Sequence, residues 1–344
     1  MLSFRTEIEN PIVEKDIIEL EKKIHQYQNG GLDEDGFRSL RLARGIYGQR
    51  QEGVQMIRIK LPFGRLSSEQ LLRIADVSDK YSTGRLHITT RQDIQIHYVS
   101  LDKTPELWAE LERDDITLRE ACGNTVRNVT ASETAGIDPD EPFDVTPYAD
   151  AVFRFFLRNP ICQELGRKFK ISFSSSDKDS ALSYMHDLGF IPKIQTTKTG
   201  DIRGFKVMIA GGLGSQPRHA DTLFDFLEAD RIIPLIESVL RIFDRHGERN
   251  RRARARMKHL IGNLGLDRFR ELLEAEQKTL SSQSVTTEED DALGIRTSRF
   301  SEVPQVTIED FEAFKIWKSS NVISQKQAGL FAIGIKVRSV SYTH

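Results

Sequence analysis

Apolar and polar positions alternate strictly along GRLHITTRQDIQIHYV, Gly84 to Val99. In an extended strand Leu86, Ile88, Ile94, Ile96 and Tyr98 fall on one side, and Arg85, His87, Thr89, Arg91, Gln95 and His97 on the other. The polar side carries two arginines, two histidines and a glutamine in register, a set that reads as a docking surface for an anion. A solvated sheet face is the plain alternative for one strand taken alone.

Further segments repeat the device. In MIRIKLP, Ile57, Ile59 and Leu61 face one way, with Met56, Arg58 and Lys60 the other. In RKFKISFS, Phe169, Ile171 and Phe173 point inward while Lys168, Lys170, Ser172 and Ser174 point outward. NTVRNVT offers Arg127 between Asn124 and Asn128. If these faces converge, Arg58, Arg127, Lys168 and Lys170 form a cluster whose mutual repulsion calls for a strongly anionic ligand.

Helical periodicity marks IVEKDIIELEKKIHQYQ within an N-terminal arm, residues 1–48, whose remainder, LDEDGFRSLRLARGIYGQ, reads as irregular chain. Residues 49–118 alternate strand, helix, strand, helix, a split βαβ half-domain. Ser67 and Gln70 make a capping box ahead of a helix that turns Leu71, Leu72, Ala75 and Val77 toward a sheet. Residues 119–323 read as α+β: Thr146 caps a helix opening with Pro147, strands lie near FKISFS and GFKVMIAGG, and RIIPLIESVLRIFDRHG is a helix closed by Gly247. A further helix in ERNRRARARMKHLIGNLG turns Met257, Leu260 and Ile261 inward and a row of arginines outward, toward solvent or a polyanion. LSSQSVTTEEDDALG, residues 280–294, reads as a surface linker.

Composition narrows the chemistry. The chain has 344 residues, enough for two domains, and a formal net charge of −2, so a basic site is local and a general nucleic-acid binder is disfavoured. There is no membrane-length apolar span and no leader pattern, which places the chain in the cytoplasm as an expectation. No phosphate loop, HExxH or CxxC occurs, the GGLG turn lacks the dinucleotide fingerprint, and no residue is assigned as a metal ligand. His87 and His97, ten positions apart on one strand, read as too distant to share a metal.

RLHITTRQDIQIH, VRNVTASE, GRKFKISFSS and NRRARARMKHLI occur in this order. Together they resemble the sirohaem-dependent sulfite and nitrite reductases over nearly the whole chain. The resemblance implies a ferredoxin-like half-domain followed by a larger α+β sirohaem-binding domain, the first half of a pseudo-two-fold repeat. It implies that Arg58, Arg127, Lys168 and Lys170 surround the substrate anion. His87, Arg91, Gln95, His97 and Asn128 then contact sirohaem, and Gly211 and Gly212 form a turn that lets backbone approach the macrocycle. The implied reaction is six-electron reduction of sulfite or nitrite, with ferredoxin or a flavoprotein as electron donor. Members also hold a [4Fe-4S] cluster on four thiolates. This chain has Cys122 and Cys162 alone, in no cluster spacing, so the cluster ligands are expected to be absent from it.

An internal echo points the same way. QRQEGVQMIRIKL, Gln49 to Leu61, recurs as QKQAGLFAIGIKV, Gln325 to Val337, after which only RSVSYTH follows. Residues 324–344 therefore read as the truncated start of a second repeat, and the chain as an incomplete reductase inactive alone. The competing reading is a non-catalytic module that holds a tetrapyrrole or an oxyanion without turnover.

Overall fold

The computed structural model describes residues 10–198, 200–280 and 307–337; the expected linker, save Leu280, and the final RSVSYTH lie outside them. Asn10 opens the first helix, α1 (Pro11–Gln28), by accepting from the Ile12 amide at 3.0 Å, with Pro11 at the first helical position. Its Val13, Ile17, Leu20 and Ile24 recur at helical spacing and are buried. The chain expected to be irregular after it forms a second helix, α2 (Glu34–Ala43), capped by Asp33 and anchored by Phe37, which stacks on Tyr27 with ring centroids 4.4 Å apart.

Next come β1 (Ile46–Gly48), β2 (Val54–Ile59), α3 (Ser68–Tyr81), β3 (Leu86–Ile88), β4 (Ile94–Ser100) and α4 (Thr104–Glu112). The strands make an antiparallel sheet in the order β1-β2-β4-β3. Ile46, Ile57, Ile59, Ile94 and Ile96 share one core with α1, Phe37, Ile74, Val77 and Trp108, so both arm helices belong to the core of this unit.

The single long strand expected over residues 84–99 is a hairpin. Thr89 and Asp93 close a turn between β3 and β4, with the Thr89 amide donating to the Asp93 carbonyl at 2.9 Å. Gln92 takes φ 57° there. Folding back makes β3 the sheet edge, which leaves Leu86 and Ile88 exposed instead of inward; Tyr98, at φ 62°, also turns out. The Ser67–Gln70 capping box forms in full, but α3 buries Ile74 and Val77 and leaves Leu71 and Leu72 exposed.

The second unit contains β5 (Thr130–Ala131), α5 (Thr146–Phe156), β6 (Ile171–Phe173), β7 (Leu188–Thr197), β8 (Gly200–Ile209), β9 (Asp221–Glu228), α6 (Ile232–His246), α7 (Met257–Leu264) and α8 (Leu266–Gln277). Its five-stranded sheet runs β5-β6-β7-β8-β9, parallel through β7 and antiparallel beyond. Phe169, Ile171, Phe173, Phe190 and Phe205 pack beneath α5 and α6. Thr146 begins α5 rather than capping it, and Asp144 accepts from its amide at 2.8 Å. Ser172 and Ser174, expected to face outward, are fully buried because the Ser183 turn covers them; the Ser174 and Ser183 hydroxyls lie 3.2 Å apart.

Last come α9 (Phe311–Asn321) and an antiparallel pair, β10 (Val322–Ser324) and β11 (Phe331–Ile333). No helix among the described residues is long and apolar enough to cross a membrane.

Candidate active site

The two units meet along a cavity of about 1080 Å³ whose walls include Arg58, Arg127, Arg167, Lys168 and Cys122. Arg58 reaches it from β2. Gly45 makes this possible: it sits at φ +71° with its carbonyl 2.8 Å from the Arg58 amide, where an added Cβ would come within 2.6 Å of the Arg58 and Leu118 carbonyls. Across the sheet Arg58 pairs with Gln95, and Gln95 with His87. With its amide oriented to satisfy both neighbours, Gln95 accepts from Arg58 Nε at 3.1 Å and Nη2 at 2.6 Å, and donates to His87 Nδ1 at 2.7 Å. The hairpin also brings the His87 and His97 rings to 6.0 Å, far closer than one straight strand allows. Burial, then the charges of His87 and Arg58, lower the His97 pKa.

Arg127 enters from the loop before β5. Its amide donates to Phe169 O at 2.9 Å, and its side chain donates to Gly123 O at 2.9 Å and Ala121 O at 3.1 Å, which fixes the guanidinium in place. Phe169 and Ile171 alternate with Lys168 and Lys170, so burying the aromatic side holds both ammonium groups on the opposite one. Lys168 lines the cavity. Lys170 stands beside its walls, within electrostatic reach of Lys168, Arg91 and Arg256. Burial, with Arg127 and Arg167 next, brings the Lys168 pKa down to about 8; burial and then Arg91 and Arg256 do the same for Lys170.

The other expected contact residues are held by the protein itself. Arg91 is buried, donating to Asn128 O, to Ile171 O at 3.2 Å and to His186 Nε2 at 2.8 Å. A guanidinium only donates, so that nitrogen of His186 accepts, and Nδ1–H donates to Leu182 O at 2.8 Å. Burial and Arg91 keep His186 neutral, its pKa pushed down to about 3. Asn128 donates to Leu61 O at 2.5 Å and Arg91 O at 3.0 Å, tying the first unit to the second. Gly211 is required locally, since a Cβ there would lie 2.4 Å from Tyr184 O. Gly212 bridges Arg218 across a short turn.

Sequence reasoning missed four members of the cluster. Arg167 lies beside Lys168 in the chain. Arg256 belongs to the arginine row expected to face outward, yet it turns in to Asp187, with Nη2 2.7 Å from Oδ2. Asp187 is fully buried, and its Oδ2 also accepts from the Lys170 amide at 2.9 Å. Asp93, two residues before Gln95, is buried among Arg58, Arg91, Lys60 and Arg127. Only the crowding of unlike charges in RQD hinted at it. Cys122 and Cys162 are free, buried thiols, both pushed up by burial. No group of three or more His, Cys, Asp or Glu among the described residues could hold a metal ion.

Residues 47–114 match the nitrite/sulfite reductase ferredoxin-like half domain, and residues 122–280 the nitrite and sulphite reductase 4Fe-4S domain. The chain belongs to the nitrite and sulphite reductase family. Its division at the cavity follows the two matched segments, which meet between Asp114 and Cys122.

Among similar proteins, the assimilatory ferredoxin-dependent nitrite reductase of Haloferax mediterranei is 33% identical over 70% of this chain and 43% of its own length. A sulfite reductase [ferredoxin] of Mycolicibacterium paratuberculosis is 28% identical over 74% of this chain and 49% of its own. The structure of Mycobacterium tuberculosis NirA covers 77% of this chain and 53% of that one, at 25% identity and a TM-score of 0.67. The chain thus spans about half the length of the curated relatives it matches.

Proposed function

We propose that this chain forms the basic, oxoanion-facing part of a site where sulfite or nitrite is reduced by six electrons at sirohaem, with electrons from a ferredoxin-type donor. The observation that carries the reading is the gathering of Arg58, Arg127 and Lys168 on one cavity, with Lys170 beside them. The donor set suits the group: a polycarboxylate tetrapyrrole and a small oxoanion need concentrated cationic donors, and here crowding with burial is enough to bring both lysine pKa values to about 8.

The roles follow from side-chain chemistry. Sirohaem would supply the iron that passes electrons to the oxoanion; Arg167, Arg249 and Arg252 on the cavity wall, with Arg256 behind Lys170, are positioned to hold its carboxylates. Arg58 and Arg127, each held in place by hydrogen bonds, act as a fixed electrostatic clamp. Gln95 aims Arg58, and the carbonyls of Gly123 and Ala121 aim Arg127. Lys168 and Lys170, with pKa values brought down to about 8, hold protons that leave more easily than an ordinary lysine's as N–O or S–O bonds break. His87, Gln95 and His97 face the same region and are proposed as sirohaem contacts. Arg91, Asn128, Gly211 and Gly212 are proposed to shape that pocket from behind. The four cluster thiolates are not assigned to this chain.

Incubation with sirohaem should produce a Soret band, with nitrite and sulfite affinities that fall as salt is added. Lys168→Met should weaken anion affinity about tenfold or more while leaving the Soret band intact. Absence of a Soret band together with absence of anion binding would falsify the assignment.

A further inference from the structure

Among the basic groups of the site one acid stands out. Asp93 is 2% exposed, and its Oδ1 has no hydrogen-bond partner, although the neighbouring buried acids are fully engaged. Glu120 holds Lys60, Gln163 and the Arg158 amide, while Asp187 holds Arg256 and the Lys170 amide. The charged and titratable groups near Asp93 come from several elements: Arg58 from β2, Lys60 just after it, Arg91 from the same turn as Asp93, and Arg127 and Cys122 from the loop before β5. Lys60 is already bound to Glu120 and to Val126 O, and Arg91 to carbonyls and His186. Arg58 and Arg127 are thus the two guanidinium groups that both face Asp93 and line the cavity.

We propose that Asp93 is a positioning residue that sets the charge of the oxoanion pocket: its carboxylate balances Arg58 and Arg127 until an oxoanion arrives, then takes a proton from water as the anion replaces it. The inference rests on the pocket being an oxoanion site. The balance is simple, one anion and one proton taken up together with no bond to the substrate changed. A buried carboxylate and a bound anion compete for the same two cations, so each weakens the other by the same factor. Burial raises the Asp93 carboxyl to about 6 against the pull of Arg58 and Arg91, which puts the exchange within reach of neutral pH. An ionised carboxylate without a partner for one oxygen is costly to bury, and protonation relieves that cost.

The sign follows from linkage. Above the native pKa of Asp93 the anion must displace a charge, so affinity falls with rising pH, up to about tenfold per unit for one coupled proton. Lys168 and Lys170 act in the same direction but at higher pH, nearer about 8. The experiment is calorimetric titration of the full chain with nitrite, which stays a monoanion where sulfite titrates, across pH 5.5 to 7.5 in two buffers of different ionisation heat. Wild type should take up close to one proton per nitrite near the upper end. Asp93→Asn should cut that uptake to the smaller share contributed by Lys168 and Lys170, flatten the slope below pH 7 and bind nitrite about tenfold more tightly at pH 7.5. If Asp93→Asn keeps the wild-type slope and proton uptake, or binds more weakly, the proposal is overturned while the oxoanion site stands. If wild type binds nitrite at no pH in this range, the oxoanion site and the proposal fall together. Asp93→Glu, which keeps the charge, should retain the proton uptake that Asn loses; its loss in both variants would mark a merely structural role.

Discussion

The two copies of the internal echo share a backbone and differ in chemistry. In the first, Ile46 pairs with Ile57, Tyr47 with Met56 and Gly48 with Gln55; in the second, Val322 pairs with Ile333, Ile323 with Ala332 and Ser324 with Phe331, the same register position for position. Gln49 donates to Val54 O at 3.2 Å, and Gln325 to Leu330 O at 3.2 Å. Gly53 and Gly329 both turn at φ 78°. Yet the position of Arg58 is taken by Gly334, and that of Met56 by Ala332. The surroundings differ as well: Ile57 and Ile59 are sealed beneath helices, whereas Ile333 and Ile335 are exposed. The hairpin is a scaffold that sequence and turn chemistry specify twice, and Arg58, the cation proposed to face the oxoanion, belongs to the first copy.

The widest separation between the copies is expected at a residue they have in common. Lys60 and Lys336 occupy equivalent positions, but Lys60 is buried against Glu120, Val126 O and the Phe153 ring while Lys336 is exposed. Burial lowers the Lys60 pKa, opposed by Glu120. Lys60→Met strips Glu120 Oε2 of its cation inside the protein, leaving Arg119 at 4.0 Å from Oε1, and should cost about 3 kcal/mol, because a buried charge short of a partner is far more expensive than a missing pair. Lys336→Met should stay within about 0.5 kcal/mol. Denaturant midpoints measure both. Lys60→Met/Glu120→Gln, which removes both charges, should recover much of the loss; failure to recover it would mean that Phe153 packing, not the ion pair, makes the site sensitive.

Next in size is the exchange of Arg58 for the residue its counterpart carries. Arg58→Gly removes a cation from the cavity and leaves the Gln95 carbonyl without its donor. Nitrite affinity should fall about ten- to hundredfold, the value of one or two charge-assisted hydrogen bonds. The reverse change, Gly334→Arg, is sterically open, an added Cβ lying 3.6 Å from Asn321 O. It should create no anion site, because nothing in the second hairpin corresponds to Arg127, Lys168 or Lys170. A gain of nitrite binding in Gly334→Arg would contradict the view that the cations act only as a set.

Much of this contrast was legible in the chain and some was not. The alternation around Arg58 and Lys168, the capping box at Ser67 and the stop at Gly247 depend on neighbours a few residues away, so sequence carries them. The fold of residues 84–99 did not follow, because the apolar positions on either side of the polar run Thr89 to Asp93 keep the same even register, Leu86 and Ile88 before it and Ile94 and Ile96 after it, so the turn leaves the pattern in phase. That turn decides the proximity of His87 and His97 and the exposure of Leu86 and Ile88. Side-chain partners were the least legible: Arg91 looks like a ligand-binding cation in sequence, yet the carbonyls of Asn128 and Ile171, contributed by another unit, already occupy it. Ser172 and Ser174 look solvent-facing until the Ser183 turn, distant in the pattern, closes over them.

The smallest expected effect tests whether the two turns are equivalent. At both Gly53 and Gly329 nothing lies within 4 Å of an added Cβ, so the cost of alanine comes from the left-handed backbone alone, about 1 kcal/mol at each. The readouts nevertheless differ. β2 sits inside the first sheet, paired with β4 as well as β1, so Gly53→Ala should lower the global denaturant midpoint by that amount. Among the described residues β11 pairs with β10 alone, and it exposes Phe331 and Ile333, so its hairpin is expected to open without unfolding the rest. Gly329→Ala should leave the global midpoint unchanged and speed hydrogen exchange at the Gln325 amide about fivefold, the local equivalent of 1 kcal/mol. A shift of the global midpoint by Gly329→Ala as large as that by Gly53→Ala would show the second hairpin unfolding together with the core, held there by its contacts with the loop at Gly136 and Ile137.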